Sequence, residues 1–321
     1  MQYRNLADSD LKVSAVGLGT WAYGDDTFGS VEDKQSISAV RAAVDAGINL
    51  IDTAPAYGAG HSEEVVGKAI KGIRDKVVLA TKCGVYRDGS DYMRDLSPAR
   101  IRKDMELSLS RLGVEQIDLY QIHWPDPNTP LEDSIEELIK LKKEGKYRYL
   151  GVSNFDKNLL TEVSNLTDII SLQPHYSLLN RDIEDNVLSA VIEQGLGVIS
   201  YGTLGGGVLS GKYKEIPDFK DKKDNRAGFY PFFDEDNWPY VQELLELIRE
   251  IALGYDKTPA QVSINWAINR PGITTALVGA KGIHQAQENA AAADFNLSED
   301  EMRFLTKKSD EVIEKIKENL K

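Results

Sequence analysis

The sequence predicts an α/β protein whose eight parallel strands close into a (β/α)8 (TIM) barrel, with a β-hairpin ahead of the barrel and a helix behind it. Three observations predict this. Strand-like apolar runs lie at about 16–19, 48–52, 77–81, 117–122, 148–152, 169–173, 197–201 and 274–278. Helical patterns fill the intervals between them. The 321 residues, 41% of them apolar, suit one barrel of this kind. Strands that alternate with helices form a parallel sheet, and eight is the number at which such a sheet closes.

Residues 1–15 alternate weakly about a turn signal, Asp8-Ser9-Asp10, which predicts a small hairpin outside the barrel. Ile101, Met105, Leu109 and Leu112 recur at helical spacing. So do Leu131, Ile135, Leu138 and Ile139, and so do Ile183, Val187 and Val191. Ser97-Pro98 and Thr258-Pro259 each set a capping hydroxyl before a proline at the first helical position. Gly47, Gly113, Gly145 and Gly195 close helices. The longest irregular stretch, about 202–236, follows the seventh strand. It is first glycine-rich, then charged, then aromatic at Phe229, Tyr230, Phe232 and Phe233. Loops of that length are more often functional than idle. Ser298-Glu299-Asp300-Glu301 opens a charged surface helix over 298–320. No linker rich in proline, glycine or serine divides the chain, so 1–321 reads as a single barrel domain.

Composition narrows the function. The net charge of −13 argues against nucleic-acid and anionic-membrane partners, while leaving room for a local basic pocket. One cysteine, Cys83, excludes an internal disulfide and a cysteine metal cluster; it reads as a packed thiol, with oxidation sensitivity conferred by the neighbouring Lys82 as the alternative. No apolar run has the length of a membrane span, and the N-terminus lacks a secretion signal. A soluble cytoplasmic protein is expected.

Two motifs mislead. Gly17-Leu-Gly19-Thr-Trp-Ala22 fits a dinucleotide fingerprint, which requires a helix to start at its third position. Here Gly24, Asp25, Asp26 and Gly29 intervene, and no helix is expected before about Val31. Gly206 through Gly211-Lys212 has P-loop spacing, but Tyr213 stands where a Ser or Thr must hold magnesium. What survives is a flexible, lysine-bearing loop after a strand, suited to a pyrophosphate without a metal.

The chemistry sits at successive strand ends. Asp52 closes the second run, with Tyr57 just beyond it, Lys82 closes the third, and His123 follows the fourth. In a barrel these ends share one rim, where active sites lie. A neighbouring ammonium stabilises a phenolate, so Lys82 makes Tyr57 a better acid, and Asp52 anchors and balances Lys82. His123 is placed to donate to a substrate oxygen or to share a proton with Tyr57. Together they form a proton donor aimed at a carbonyl oxygen gaining charge. Taken singly, Asp52 and Lys82 read as a structural pair, Tyr57 as a loop anchor and His123 as a core histidine. Their joint placement makes the site. Trp21, Tyr23, Tyr86 and Trp124 are expected on the rim, lining an apolar pocket.

Over nearly its whole length the chain resembles the aldo-keto reductases, in particular short-tailed bacterial members related to potassium-channel β subunits. The resemblance rests on Gly19-Thr20-Trp21, Asp52-Thr-Ala-Pro-Ala-Tyr57-Gly58, Ser62-Glu63-Glu64, Thr81-Lys82, His123-Trp124-Pro125-Asp126, Gly151-Val-Ser153-Asn154-Phe155, Gln173, Tyr201, Gly211-Lys212-Tyr213 and Gly279-Ala-Lys281. It implies NADP(H)-dependent reduction of aldehydes or ketones, or the reverse, with Asp52, Tyr57, Lys82 and His123 as a catalytic tetrad and Tyr57 as general acid. Ser153, Asn154 and Gln173 would hold the nicotinamide carboxamide, and Tyr201 would stack on its ring. Thr20, Trp21 and Asp52 would lie near the nicotinamide ribose. Gly202, Thr203, Leu204, Gly205, Gly206 and Lys212 would wrap the pyrophosphate. Gly279, Lys281, Gln285, Glu288 and Asn289 would hold the adenosine end, with Lys281 on the 2′-phosphate and Arg226 joining it. Many relatives carry Ser-Pro where this chain has Gly202-Thr203, which would loosen the pyrophosphate clasp. The missing long tail implies an open pocket for small carbonyl or alcohol substrates. Two rivals remain: a cofactor-binding regulatory subunit with little turnover, and a hydrolase or Schiff-base aldolase using Lys82. The complete tetrad favours the reductase.

Overall fold

The computed structural model describes residues 1–24, 27–89, 91–219 and 223–320. Asp25 and Asp26 of the rejected fingerprint, and positions 220–222 of the long loop, lie outside the described residues. Twelve described strands occur in chain order: β1 (Tyr3–Asn5), β2 (Lys12–Ser14), β3 (Val16–Gly19), β4 (Leu50–Asp52), β5 (Val78–Cys83), β6 (Val85–Asp88), β7 (Asp91–Arg94), β8 (Ile117–Ile122), β9 (Tyr147–Ser153), β10 (Ser171–Gln173), β11 (Gly197–Ser200) and β12 (Ile273–Val278). Eight of them, β3, β4, β5, β8, β9, β10, β11 and β12, form a closed parallel barrel in that order. Each matches one of the apolar runs read from the sequence. The expected N-terminal hairpin is β1–β2, paired antiparallel. A second hairpin, β6–β7, stands on the rim after β5 and was not expected.

Strand alternation layers the barrel interior. Leu50, Ala80, Leu119, Ile199 and Leu277 form an apolar cluster with Leu6, Leu11 and Val13 of the β1–β2 hairpin, which plugs the N-terminal end. Two residues further along their strands, on the same inward face, come Asp52, Lys82 and Gln121. An apolar floor thus supports a polar layer at the C-terminal ends. The outward strand faces pack against the helices in one large core.

The helices are α1 (Asp33–Asp45), α2 (His61–Ile70), α3 (Pro98–Leu112), α4 (Leu131–Lys143), α5 (Lys157–Leu166), α6 (Asp182–Asn186), α7 (Leu188–Glu193), α8 (Arg226–Phe229), α9 (Trp238–Tyr255), α10 (Pro259–Ile268), α11 (Ile283–Ala290) and α12 (Glu299–Asn319). The Ser97 and Thr258 caps form as expected, Thr258 as a reciprocal capping box with Gln261. Ser298 and Glu301 make the same box at α12, a feature that stabilises a helix start by about 1 kcal/mol. The Ile183–Val191 pattern forms two short helices, α6 and α7, broken at Val187. After β11 the irregular segment contains 3₁₀ turns at Gly205–Ser210 and Pro231–Phe233, with α8 between them. It meets the loop after β3: Gly29 N–H donates to Lys223 O (2.9 Å) and Asn225 N–H to Thr27 O (2.8 Å). Among the described residues no helix is long and apolar enough to cross a membrane.

Candidate active site

The polar layer is a single hydrogen-bonded unit. Lys82 is fully buried, and its ammonium has three protons to place. It donates to Asp52 Oδ1 (2.5 Å), to Thr53 O (3.0 Å) and to the Tyr57 hydroxyl (3.2 Å). Burial pulls Lys82 below the ordinary lysine range, and the Asp52 carboxylate opposes that pull. Asp52 Oδ2 accepts from Gln121 Nε2 and from Gln173 Nε2, each at 3.0 Å. The carboxylate is therefore held from both sides, and an ion pair this deep needs such partners. Gln121 escaped the sequence reading. The available signal was parity, since Gln121 falls two residues after Leu119 and two before His123, on the same face of the chain as both.

Tyr57 reaches the unit from a 3₁₀ turn, Tyr57–Gly60. Gly58 has φ +60°, and a Cβ there would land on the Gly24 backbone. The close approach of the two rim loops explains the glycine. Trp21 stacks on the Tyr57 ring with centroids 5.8 Å apart. His123 meets the same ring edge-on, also at 5.8 Å. Burial, then the Lys82 and Arg94 charges, hold His123 well below the usual histidine range, so its imidazole is neutral at pH 7. Its Nδ1 is buried with no hydrogen-bond partner.

A cavity of about 450 Å³ runs from Tyr57 across the barrel mouth. Thr20, Trp21, Asp52, Tyr57 and Gln173 line one end, and Tyr201, Gly202, Thr203, Leu204 and Gly206 the middle. Lys212, Arg226, Gly279, Lys281, Gln285, Glu288 and Asn289 line the other end. Broader depressions of about 700 and 600 Å³ lie at the N-terminal strand ends, by Val114–Gln116 and Asn165–Asp168, away from the ion pair. The predicted residues not on the cavity wall stand beside it. Asn154 Nδ2 donates to Ser153 Oγ (3.0 Å) and His123 O (3.1 Å), and Ser153 Oγ donates to Gln173 O (2.8 Å). The Tyr201 hydroxyl donates to Asn154 Oδ1 (2.9 Å). Gly205 is buried in the loop turn.

Several polar groups serve the walls themselves. Thr20 Oγ1 donates to Asp52 O (2.9 Å) and Thr203 Oγ1 to Leu277 O (2.9 Å). Asn289 Nδ2 donates to Gly279 O (3.1 Å), and Gln285 Oε1 accepts from Lys281 N–H (2.7 Å). The Lys281 ammonium donates to Phe28 O. Arg226 pairs with Asp224 (2.5 Å) and donates to Gly206 O (2.9 Å). His175, unmarked in the sequence reading, stacks behind Tyr201 with centroids 5.3 Å apart. Of the four aromatics expected in the pocket, Trp21 lines it. Tyr23 instead is buried, its hydroxyl donating to Ala280 O (2.8 Å), while Tyr86 and Trp124 lie under arginines. Cys83 is buried and its thiol is pushed up by burial, an inert packed group.

Residues 15–310 match the model of the aldo/keto reductase family. The chain is 37% identical to aldo-keto reductase YhdN of Bacillus subtilis, covering 94% of this chain and 92% of that one. It is 33% identical to an NADH-specific methylglyoxal reductase of Escherichia coli, covering 92% and 94%. The structure of a glycerol dehydrogenase, AKR11B4, from Gluconobacter oxydans superposes with a TM-score of 0.86 at 35% identity, covering 97% of this chain and 94% of that one. Those named activities are oxidoreductions at carbonyl or alcohol groups. With a closed parallel barrel, a buried Asp52–Lys82 pair at its mouth and a family match over nearly its whole length, the chain belongs to the aldo/keto reductase family.

Proposed function

We propose that the protein is an NADP(H)-dependent carbonyl reductase in which Tyr57 is the general acid. The observation that carries this is the Lys82 ammonium held between Asp52 and the Tyr57 hydroxyl. Lys82 donates to the phenol oxygen, which favours the phenolate left behind when the phenol proton passes to a substrate oxygen. Asp52 positions Lys82, and Gln121 and Gln173 position Asp52. His123, neutral at pH 7, orients the substrate oxygen and does not supply the proton. A catalytic contribution of roughly 10²–10⁴-fold is usual for such a donor.

The cavity suits a dinucleotide. A Cβ at Gly207, where φ is +96°, would lie 3.6 Å from Arg226 Nη1 and 3.8 Å from Lys212 Nζ. Two cations thus converge on bare backbone, the arrangement a pyrophosphate takes. Among the described residues, Lys212, Arg226 and Lys281 line this end with Glu288, and Asp224 pairs with Arg226, three cations against two acids in a chain of net charge −13. That local excess favours the extra phosphate of NADP(H), with Lys281 beside it. Tyr201, backed by His175 and tied to Asn154, forms the flat wall for the nicotinamide, and Ser153, Asn154 and Gln173 lie where its carboxamide would bind. Thr20 and Trp21 would flank the ribose, Gly202 through Gly206 the pyrophosphate, and Gly279, Gln285, Glu288 and Asn289 the adenosine. The nicotinamide, when bound, supplies hydride to the carbonyl carbon.

The test is a fluorescence titration with NADPH and NADH, followed by an aldehyde and ketone screen for cofactor oxidation. NADPH binding tighter than NADH, with aldehyde turnover, is expected. Tight binding with no turnover of any carbonyl compound would favour a cofactor-binding subunit instead.

A further inference from the structure

Two arginines lie over aromatic rings at the barrel mouth. Arg100 covers Tyr86 with its guanidinium carbon 3.8 Å from the ring centre, and Arg94 covers Trp124 at 4.5 Å. Arg100 is neutralised by Asp104 at 2.7 Å. Arg94 is not: among the described residues no ion pair to it forms. The carboxylates flanking it in the fold have other work. Asp95 accepts from Ser97 N–H (2.9 Å), and Asp126 from Leu96 N–H (3.0 Å), Asn128 N–H (2.9 Å) and the Thr129 hydroxyl (2.7 Å). An exposed, uncompensated arginine at the mouth of an acidic protein is a candidate anion receptor.

Its position follows from two short runs of chain. The β6–β7 hairpin pairs Arg94 with Val85, three residues past Lys82. Trp124 directly follows His123. The guanidinium therefore stands over the residue next to His123, close enough that its charge discourages protonation of that imidazole. The contact with Trp124 holds the guanidinium over the ring without neutralising it, and its N–H groups keep the fork that matches a carboxylate.

We propose that Arg94 determines specificity by binding a carboxylate on the substrate, so that the preferred substrates are aldehydes or ketones bearing a carboxylate remote from the reacting carbonyl. This rests on the carbonyl-reduction reading above.

The experiment compares 4-carboxybenzaldehyde with benzaldehyde, followed by NADPH oxidation, in the wild type, Arg94→Gln and Arg94→Lys. The readout is the ratio of the two kcat/KM values within each enzyme, so the electronic difference between the aldehydes cancels across variants. The expected ratio in Arg94→Gln is lower by about tenfold, the usual effect of one charge-assisted contact, through KM and not kcat, with partial recovery in Arg94→Lys. Turnover of both aldehydes with a ratio that Arg94→Gln leaves unmoved overturns the assignment of Arg94 alone. Turnover of neither overturns the carbonyl-reduction reading, and this proposal with it.

Discussion

The Lys82 ammonium donates to the Tyr57 hydroxyl across 3.2 Å, although the two residues arrive on different elements, a barrel strand and a rim loop. The contact exists because β4 and β5 are neighbours in the barrel. Their register sets Asp52 opposite Ala80, two residues before Lys82 on the same inward face. The following turn then folds Tyr57 back over the pair.

Removing Lys82 should cost both chemistry and stability. Lys82→Met leaves the Asp52 carboxylate buried without its cation, a loss of about 3–5 kcal/mol in comparable buried pairs. Urea unfolding should show a lower midpoint, and carbonyl reduction should fall by at least about 100-fold. A variant of unchanged stability would mean that the pair is not held as the geometry shows.

The two lysines of the cavity should separate by cofactor. Lys212→Ala is expected to weaken NADPH and NADH about equally, because both carry the pyrophosphate. Lys281→Ala is expected to weaken NADPH by about tenfold and NADH much less. Trp21 lines the cavity, so quenching of its fluorescence reports both affinities. Equal losses in Lys281→Ala would remove the 2′-phosphate from that residue.

Gly58 and Gly72 make a controlled pair. Both have positive φ, at +60° and +84°. A Cβ at Gly58 would strike the Gly24 backbone, whereas at Gly72 nothing lies within 4 Å. Gly72→Ala should cost only the backbone strain, roughly 1 kcal/mol. Gly58→Ala should cost more and also depress kcat, since the loop that carries Tyr57 must move. Thermal melts and steady-state kinetics on the two variants check this.

Acid should destabilise the fold through its neutral histidines. Burial lowers His175 to about 4, against an ordinary value near 6.5. Below pH 6.5 the unfolded chain takes up a proton that the folded chain refuses, so stability falls as pH drops from about 6.5 to about 4 and then levels off. The contribution is about 3 kcal/mol at most, and His123 acts in the same direction. His175→Phe should flatten the decline in urea midpoints between pH 7 and pH 4.5. An equally steep decline would place the acid sensitivity elsewhere.

The barrel was legible because every barrel strand is an apolar run bounded by turn residues, and because Pro98 and Pro259 with their capping hydroxyls mark helix starts. The β6–β7 hairpin was not legible. Tyr92, Met93 and Arg94 all point to solvent in part, so no buried face imposes an alternating pattern. The break at Val187 was hidden because α6 and α7 keep the same apolar spacing across it. At the site, Asp52, Lys82, Tyr57 and His123 announced themselves as polar or titratable groups at or just beyond successive strand ends. Gln121 did not, because an amide inside a strand looks like an ordinary polar residue until the carboxylate it holds is known. Tyr23 was expected at the pocket because its loop lies on the rim. Its ring turns inward, where the Ala280 carbonyl satisfies the hydroxyl.

The most direct test of the central claim is single-turnover carbonyl reduction by Tyr57→Phe. The ring and its stack on Trp21 are kept, and only the oxygen that faces Lys82 is lost. Reduction slower by at least about 100-fold, with NADPH affinity within twofold of wild type, is the predicted result. Reduction near the wild-type rate would contradict the assignment of Tyr57 as proton donor.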